Sequence, residues 1–225
     1  MQSILQTTAD GSHTLFVPDI EESYHSMYGA MQESTFIFIE QGLKTCPKNA
    51  VQILEIGLGT GLNALLTAVE AGRTKKSIHY TTVELYPVAE QTVRLFNYPE
   101  LVENSGDLFE KIHRAYWETE VEINPYFVLR KIKTDFTTYF LTGMYDVIYF
   151  DPFSPEKQPE MWEESGFRKI AEHCNPDAIL TTYCAKGSVR RTLQRVGFRV
   201  ERLPGPPGKR EVLRAVRYFD EYFLY

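Results

Sequence analysis

The residues best suited to chemistry in this sequence stand where short apolar segments end. Residues 51–56 are mostly apolar and run into Glu55-x-Gly57-x-Gly59-x-Gly61, which precedes a helical pattern. Glycines between a strand and a helix let the backbone approach a ligand closely. A dinucleotide site needs G-x-G-x-x-G, whereas the third glycine here comes one position early. We therefore expect a small-molecule site that differs from the dinucleotide fingerprint.

Acidic residues follow the next two predicted strands. Glu84 ends the second strand, where a carboxylate can accept hydrogen bonds from both hydroxyls of a ribose. Gly106-Asp107 and Asp135 each offer an acid for the base of the same ligand, and Asp135, just past the third strand, fits the topology better. Glu84 and Asp135 could instead only cap helices.

A third acid, Asp151, follows the fourth predicted strand and opens a proline-rich loop. A carboxylate held by Pro152 and Pro155 suits recognition of an amine, because it accepts hydrogen bonds from N–H groups. Phe153 or Trp162 can stack on a flat base. The alternative is that Asp151 merely caps the loop.

Hydrophobic periodicity predicts the elements that must position these residues. Strands alternate with helices, which is typical of an α/β fold with a doubly wound, mostly parallel sheet. We expect an N-terminal extension over 1–45, with a small β-ribbon turning at Asp10-Gly11, and one domain over 46–225 that ends in a β-hairpin. The predicted strands are 5–8, 14–17, 51–56, 78–83, 126–132, 145–150, 178–182, 198–203 and 212–218, and the helices are 62–71, 88–96, 108–117, 161–173 and 187–196.

Charge is distributed unevenly along the chain. The formal net charge of the 225 residues is −6, yet residues 186–217, the basic stretch, contain ten Lys and Arg against two Glu and therefore carry +8. Clustered positive charge creates a local field that a polyanion can bind. A solvated helix face followed by a charged strand edge is the competing interpretation. The candidate phosphate-binding residues are Lys186, Arg190, Arg191, Lys209 and Arg210.

Several classes of protein are disfavoured. Cys46, Cys174 and Cys184 are odd in number and widely spaced, which suggests neither a disulfide framework nor a zinc site, and no metal site is expected. Residues 1–11 are polar and lack a secretory pattern, and no apolar run is long enough to span a bilayer. A cytoplasmic enzyme fits these features.

The glycine loop and the Asp151 loop together resemble known families. The spacing from Glu55 to Gly61 resembles motif I of the class I methyltransferases, which have a Rossmann-like fold and bind S-adenosyl-L-methionine. The Asp151 loop is similar to the D-x-F-x-P-x-K-x-P-x-M-W element of the MnmC methyltransferase domain, and the similarity covers most of residues 20–216. The matching positions are Asp151, Phe153, Pro155, Lys157, Pro159, Met161 and Trp162.

The resemblance implies an S-adenosyl-L-methionine-dependent N-methyltransferase that acts on the 5-aminomethyl group of 5-aminomethyl-2-thiouridine at the tRNA wobble position. Its partner would be the anticodon region of tRNA, and Asp151 its catalytic residue. Many family members also carry a flavin-dependent oxidoreductase domain that this sequence lacks, so a separate oxidoreductase would be needed for a carboxymethylaminomethyl-uridine substrate. The expected cofactor-binding residues are Gln32, Glu33, Glu55, Gly57, Gly59, Gly61, Asn63, Glu84, Asp135 and Asp151.

Two other functions stay open from the sequence. A polyamine-synthase-like transferase acting on a small amine also places an aspartate after the fourth strand, but such enzymes typically have a second acid close behind it. Ser154-Pro155 occupies that space here. A non-catalytic RNA-binding protein could use the basic stretch alone, but the intact glycine loop, Glu84 and Asp151 make that interpretation weaker.

Overall fold

The middle of the chain folds into strands that are buried on both faces. Every residue of strand Tyr145–Phe150 is buried. Val147 and Tyr149 belong to one hydrophobic cluster, whereas Ile148 and Phe150 belong to a second cluster. Because successive side chains of a strand point to opposite faces, the two clusters lie on opposite sides of one sheet. Burial on both faces is typical of a parallel sheet covered by helices.

The computed structural model describes residues 2–218, and its main sheet has eight strands. Their order across the sheet is β10-β11-β9-β8-β4-β5-β7-β6. The five strands from β9 to β7 in that order are parallel, and β6, β11 and β10 are antiparallel to their neighbours. The strands are β4 (Ala50–Ile56), β5 (Ser77–Glu84), β6 (Glu120–Asn124), β7 (Phe127–Lys133), β8 (Tyr145–Phe150), β9 (Cys174–Thr182), β10 (Phe198–Pro204) and β11 (Glu211–Arg217).

Helices cover both faces of this sheet. The first cluster contains side chains of α2 and α5, and the second contains side chains of α6 and α7, so the predicted doubly wound α/β fold is confirmed. The helices are α1 (Ala30–Ser34), α2 (Leu62–Thr74), α3 (Glu90–Val93), α4 (Tyr98–Leu101), α5 (Leu108–Arg114), α6 (Glu164–Glu172) and α7 (Gly187–Arg195), and a π-helical turn (Thr35–Glu40) continues α1.

The front of the chain forms a separate, small antiparallel sheet. Strands β1 (Ile4–Thr7) and β2 (His13–Val17) form the predicted ribbon, and a third strand, β3 (Glu22–Ser23), pairs with β2. Asp10 closes the turn of the ribbon, since its carboxylate accepts the Ser12 backbone N–H at 3.0 Å. Leu15 packs in the same hydrophobic cluster as the main sheet. The small sheet therefore lies against the large one.

Some predicted elements differ from the observed ones. Strand β6 was not predicted; its exposed and half-buried side chains leave only Ile123 buried, as befits an edge strand. The predicted helix 88–96 is reduced to α3, because its residues are mostly exposed and cannot bury an apolar face. Helix 108–117 ends earlier, at Arg114, and helix 161–173 begins later, at Glu164, after a short 3-10 turn.

The order of the sheet fixes where a ligand can bind. The chain builds β5 and β7 on one side of β4 and then crosses to build β8 on the other side. In open α/β sheets, the crevice beyond the carboxyl ends of the strands at this switch point is the usual ligand site. The chain from 2 to 218 contains no helix that could cross a membrane.

Candidate active site

Two loops meet at the switch point, and their glycines allow the contact. Gly57 ends β4 with φ +94°, and a Cβ there would lie 2.9 Å from the Asp151 carbonyl oxygen. Gly59 has φ +51°, and a Cβ there would press against the Tyr24 ring at 3.0 Å. An L-residue rarely adopts such φ values. The glycine loop is therefore held between the Asp151 loop and the front of the chain.

Gly61 leaves the space that helix α5 needs to pack against the glycine loop. A Cβ at Gly61 would lie 2.7 Å from Nε2 of His113, which itself lies 3.1 Å from the Thr60 carbonyl oxygen. Burial lowers the pKa of His113 to about 4, and the Lys131 ammonium adds to that shift. The neutral ring thus packs helix α5 against the glycine loop.

A cavity of about 460 Å³ opens beside these loops. Its volume lies within the range of small-molecule sites. It brings together residues from four predicted strand ends, the front of the chain and the β10–β11 loop. Of the residues predicted from the sequence, the cavity is lined by Glu33, Gly57, Gly59, Asn63, Glu84, Asp135, Asp151, Phe153 and Lys209.

The carboxylates of Glu84 and Asp135 are oriented by backbone donors. Glu84 accepts the N–H of Gly59 at 3.0 Å and the N–H of Tyr86 at 2.7 Å, so it links the ends of β4 and β5. Asp135 accepts the backbone N–H of Thr137 at 2.8 Å. The rival acid Asp107 is exposed, pairs with Lys111 at 2.9 Å and does not line the cavity. The ends of β5 and β7 therefore supply the two acids.

Asp151 lies at the centre of the switch point. Its Oδ2 accepts the Asn63 side-chain N–H at 2.9 Å. Burial raises the pKa of Asp151 well above its usual range, and the Glu33 and Glu55 carboxylates raise it further. The Asn63 hydrogen bond and the Lys209 ammonium oppose that pKa shift. A carboxylate with a raised pKa is a better proton acceptor than one in water.

The loop after Asp151 is fixed by hydrogen bonds that involve the side chains of Trp162 and Gln158. The Trp162 indole N–H donates to the Phe153 carbonyl at 2.8 Å, and the Phe153 N–H donates to the Gln158 side chain at 3.0 Å. Trp162 is 7% exposed and packs on Phe150 with ring centroids 5.0 Å apart. Of the two predicted aromatic partners for a base, only Phe153 lines the cavity.

The front of the chain supplies cavity residues that the sequence did not indicate. Glu22 accepts the Ser154 N–H at 3.0 Å and the Ser154 hydroxyl at 2.8 Å. The Tyr24 ring packs edge-on against Phe153 at 4.9 Å. His25 lies between Thr14 and Thr60, and burial lowers its pKa to about 4. No local motif marks these residues, because they reach the site only when β3 folds back onto β2.

Other predicted site residues lie outside the cavity. Glu55 is fully buried beneath the glycine loop, and burial raises its pKa to about 7. Gln32 is exposed and borders a shallow groove with Pro206 and Pro207. The remaining ones are Gly61, Trp162, Lys186, Arg190, Arg191 and Arg210.

The basic stretch is largely neutralised within the fold. Five of its ten cations form ion pairs with acids, and Arg217 donates to backbone carbonyl oxygens. Within 2–218, Arg190, Arg191, Arg199 and Arg210 form no ion pair. The pairs are Lys186 with Glu156, Arg195 with Glu164, Arg202 with Glu211, Lys209 with Glu33, and Arg214 with Glu201.

The four arginines lie at opposite ends of the strands: three near the carboxyl ends of β9 and β10, and one near the start of β10. Arg190 and Arg191 are on the first turns of α7, just after the carboxyl end of β9, and Arg210 is in the loop after the carboxyl end of β10. Since β10 runs parallel to β9, these three arginines lie on the cavity side. Arg199, near the start of β10, lies at the opposite edge.

The cavity suits S-adenosyl-L-methionine, which carries a net positive charge at neutral pH. One lysine and six acids line the cavity, and the acids are Glu22, Glu33, Glu84, Asp135, Asp151 and Glu160. The Oδ1 atom of Asn63 is buried without a hydrogen-bond partner and can accept a donor from a ligand. The positive-φ glycines let the ligand approach the backbone. Among the described residues, no cluster of His, Cys, Asp and Glu could hold a metal ion.

Comparisons with known proteins agree with this site. A family model described as S-adenosyl-L-methionine-dependent methyltransferase matches residues 107–218, about half of the chain. The chain is 29% identical over 221 residues to the tRNA 5-methylaminomethyl-2-thiouridine biosynthesis bifunctional protein MnmC of Campylobacter hominis. It is 31% identical over 225 residues to the protein of that name from Delftia acidovorans. These alignments cover 92% and 90% of this chain but only 31% and 33% of the relatives, so the chain spans about a third of their length.

Solved structures share the fold. The crystal structure of MNMC2 from Aquifex aeolicus superposes with a TM-score of 0.80 at 24% identity, covering 98% of this chain and 73% of that one. Spermidine synthase from Thermotoga maritima superposes with a TM-score of 0.57 at 13% identity, again over 98% and 73% of the two chains. The family model and the curated relatives show that the chain belongs to the S-adenosyl-L-methionine-dependent methyltransferases.

Proposed function

We propose that this chain methylates the amino group of 5-aminomethyl-2-thiouridine at the wobble position of tRNA. The names of the curated relatives support a substrate of this kind. The observation that carries the proposal is the position of Asp151, a half-buried carboxylate at the switch point in a cavity lined by acids. Such a cavity attracts cations and repels phosphates, so the amine enters while the RNA backbone stays outside.

In this proposal the acids at the strand ends hold the cofactor. Gly57 and Gly59 allow close approach to its methionine part, Glu84 accepts its ribose hydroxyls, and Asp135 lies near its adenine. Their common placement in the cavity supports these roles. Glu33 closes over the site from α1. The cofactor, when bound, supplies an electrophilic methyl group on a sulfonium.

Asp151 orients the substrate amine and receives its proton. An alkylamine resembles a lysine head group, whose pKa is about 10.4, so it arrives protonated and without a lone pair for attack. Burial beside a sulfonium disfavours a second positive charge and lowers the pKa of the amine. The raised pKa of Asp151 brings the two groups closer in proton affinity. The carboxylate can then hold the amine in line with the methyl group and pass the proton to water.

Arginines around the cavity hold the RNA. Arg190, Arg191 and Arg210 lie on the cavity side of the sheet and form no ion pair with another residue between 2 and 218. Phosphate contacts of this kind position a nucleic acid without recognising its sequence. Phe153 lines the cavity and offers a ring for the flipped base. Lys186 and Lys209 were candidates too, but each is paired with an acid in this structure.

Methyl transfer is the one reaction proposed for this chain. A tRNA substrate implies a cytoplasmic site of action. The chain spans about a third of the length of the bifunctional relatives, and methyl transfer is the one step proposed for the residues described here. A separate oxidoreductase would have to expose the aminomethyl group when the precursor is carboxymethylaminomethyl-uridine.

Methyl transfer to defined tRNA tests the proposal. The protein is incubated with labelled S-adenosyl-L-methionine and bulk tRNA from cells that lack this methylation, and the labelled nucleoside is identified by mass spectrometry. We expect label in 5-methylaminomethyl-2-thiouridine only, and none with fully modified tRNA. In a parallel reaction with decarboxylated S-adenosylmethionine and putrescine, aminopropyl transfer to putrescine, with no methyl transfer to tRNA, would support a polyamine-type transferase instead. Absence of stabilisation by S-adenosylhomocysteine would point to a non-catalytic scaffold.

A further inference from the structure

Lys209 is the one ammonium group among the residues that line the cavity. Its Nζ atom lies 3.1 Å from Glu33 Oε1 and 4.7 Å from the centroid of the Tyr183 ring. The Lys209 side chain is 24% exposed and the Glu33 side chain 10% exposed. A carboxylate and an aromatic face are the two groups that bind an alkylammonium best in proteins.

Glu33 and Tyr183 form a box around this ammonium, and each of the two side chains is held by a hydrogen bond. Glu33 Oε2 accepts the Ser26 backbone N–H at 2.7 Å, which fixes the carboxylate. The Tyr183 hydroxyl donates to the Pro152 carbonyl at 2.9 Å, which fixes the ring next to the Asp151 loop. Asp151 is near enough to both Glu33 and Lys209 for their charges to move its pKa in opposite directions. The box therefore adjoins the proposed methyl acceptor position.

Lys209 reaches the box from a loop whose conformation is set by glycines. The loop between β10 and β11 closes through the Gly205 N–H, which donates to the Arg210 carbonyl at 3.1 Å. Gly208 has φ +85° and no Cβ because the Tyr28 ring fills that space. The loop belongs to a hairpin at the end of the sheet, whereas the box is built by α1, β9 and the Asp151 loop. The ammonium can therefore leave without disturbing the groups that bind it.

We propose that Lys209 is a placeholder for the substrate ammonium: it occupies the Glu33–Tyr183 box in the free enzyme and vacates it when an alkylammonium enters. This inference rests on the proposed function, since it names the protonated amine as the form that enters. A lysine head group and an aminomethyl group in its ammonium form are chemically alike, so one displaces the other without any bond being made. With Lys209 in the box, the Glu33 carboxylate has a compensating positive charge in the free enzyme.

Binding of ethylammonium chloride tests the placeholder directly. Calorimetry is performed on protein saturated with S-adenosylhomocysteine, with no tRNA present. We expect Lys209→Met, which removes the charge, to bind ethylammonium at least about ten-fold more tightly than the wild type, because no internal ammonium then competes for the Glu33 carboxylate. Lys209→Arg, which keeps a cation, should resemble the wild type. Lys209→Gln repeats the test should the Met variant be poorly folded.

Two further variants test whether the gain in ethylammonium affinity arises at the Glu33–Tyr183 box. Adding Glu33→Gln to Lys209→Met should abolish the gain in ethylammonium affinity, because the carboxylate of the box is then neutral. Arg199→Gln, a charge removal at the start of strand β10 in the same hairpin and outside the cavity, should leave ethylammonium affinity at the wild-type value. Equal affinity in the wild type and both neutral Lys209 variants would overturn the inference. The tRNA assay can fail while this test succeeds, or the reverse, so the two proposals are judged separately.

Discussion

The cavity and the basic stretch of residues 186–217 differ in how their charges are paired. Among the described residues, six acids line the cavity beside one lysine, so negative charge is concentrated there. In the basic stretch, five of ten cations are paired with acids of the same fold. Exposed pairs of this kind contribute little to stability, whereas unmatched buried charge is costly and tends to mark a functional site.

The sign and the number of charges in a segment therefore indicate less about its function than whether those charges are paired. The basic stretch stands out in the sequence, yet only Arg190, Arg191 and Arg210 remain available on the cavity side. The acids of the cavity come from positions 22 to 160 and form no run in the sequence. Removing charge from either region, with a matched position elsewhere as the control, tests this difference.

The largest effect is expected at Asp151. Asp151→Asn keeps the shape and the contact with Asn63 but removes the proton acceptor, so we expect turnover to fall by about two orders of magnitude or more. Cofactor affinity should survive within a few fold. Single-turnover methyl transfer and calorimetry with S-adenosylhomocysteine measure the two quantities.

Asp146→Asn is the matched control for that variant. Asp146 lies at the other end of β8, where it accepts the Gln52 N–H at 2.8 Å and contacts Lys48 at 2.5 Å. Its loss should lower the melting temperature and leave turnover of the folded protein near the wild-type value. A turnover in Asp151→Asn as high as in Asp146→Asn would remove Asp151 from the chemistry.

Cofactor affinity should depend next on Glu84. Glu84→Ala removes a charged acceptor for the ribose hydroxyls and the link to the Gly59 N–H, so affinity for S-adenosylhomocysteine should fall by about 1.5–3 kcal/mol. Asp107→Ala removes an acid that is exposed and outside the cavity, and should change affinity by less than about two-fold. Unchanged affinity in Glu84→Ala would show that the ribose lies elsewhere.

A smaller effect on RNA affinity is expected from the cavity-side arginines. The triple variant Arg190→Gln, Arg191→Gln and Arg210→Gln should lower tRNA affinity about ten-fold and reduce the slope of log affinity against log salt by about 2. Arg199→Gln, at the opposite edge of the sheet, should keep the wild-type slope. Filter binding over a series of salt concentrations measures both. Equal losses in the two variants would move the RNA face away from the cavity mouth.

The smallest effect on function is expected at Lys131, a buried cation outside both regions whose removal changes stability alone. Its ammonium donates to the His113 carbonyl at 2.8 Å and lies 4.8 Å from the Trp117 ring centre, and burial lowers its pKa to about 8. The unfolded chain then binds more protons than the folded one between pH 8 and the usual lysine pKa of 10.5. The stability cost of the buried ammonium is therefore present below pH 8 and is relieved as the pH rises.

Urea unfolding at several pH values measures this effect. Between pH 7 and pH 10 the unfolding free energy of the wild type should rise by about 2 kcal/mol relative to Lys131→Met, whose residue 131 does not titrate. Lys133→Met, an exposed lysine on the same strand, serves as the control and should follow the wild type. A parallel pH dependence in the wild type and Lys131→Met would show that residue 131 does not titrate in this range.

The sequence was informative wherever local pattern decides structure. Glycines at Gly57 and Gly59, an acid at each strand end and the apolar runs of β4 and β8 predicted the parallel sheet and most of one wall of the cavity. Local pattern was weaker between 88 and 125, where short helices and the edge strand β6 bury few side chains. Hydrophobic periodicity gives little signal where little surface is buried.

By itself the sequence determined the α/β fold, the glycine loop and the acids at Glu84, Asp135 and Asp151, because each depends on neighbours within a few residues. Only the tertiary structure decided that β3 folds Tyr24 and His25 into the cavity, that Trp162 supports Phe153 from behind, and that Lys209 pairs with Glu33. The last two contacts join residues 9 and 176 positions apart. Such contacts follow from how sheets and loops pack and not from spacing along the chain, so no local pattern carries them.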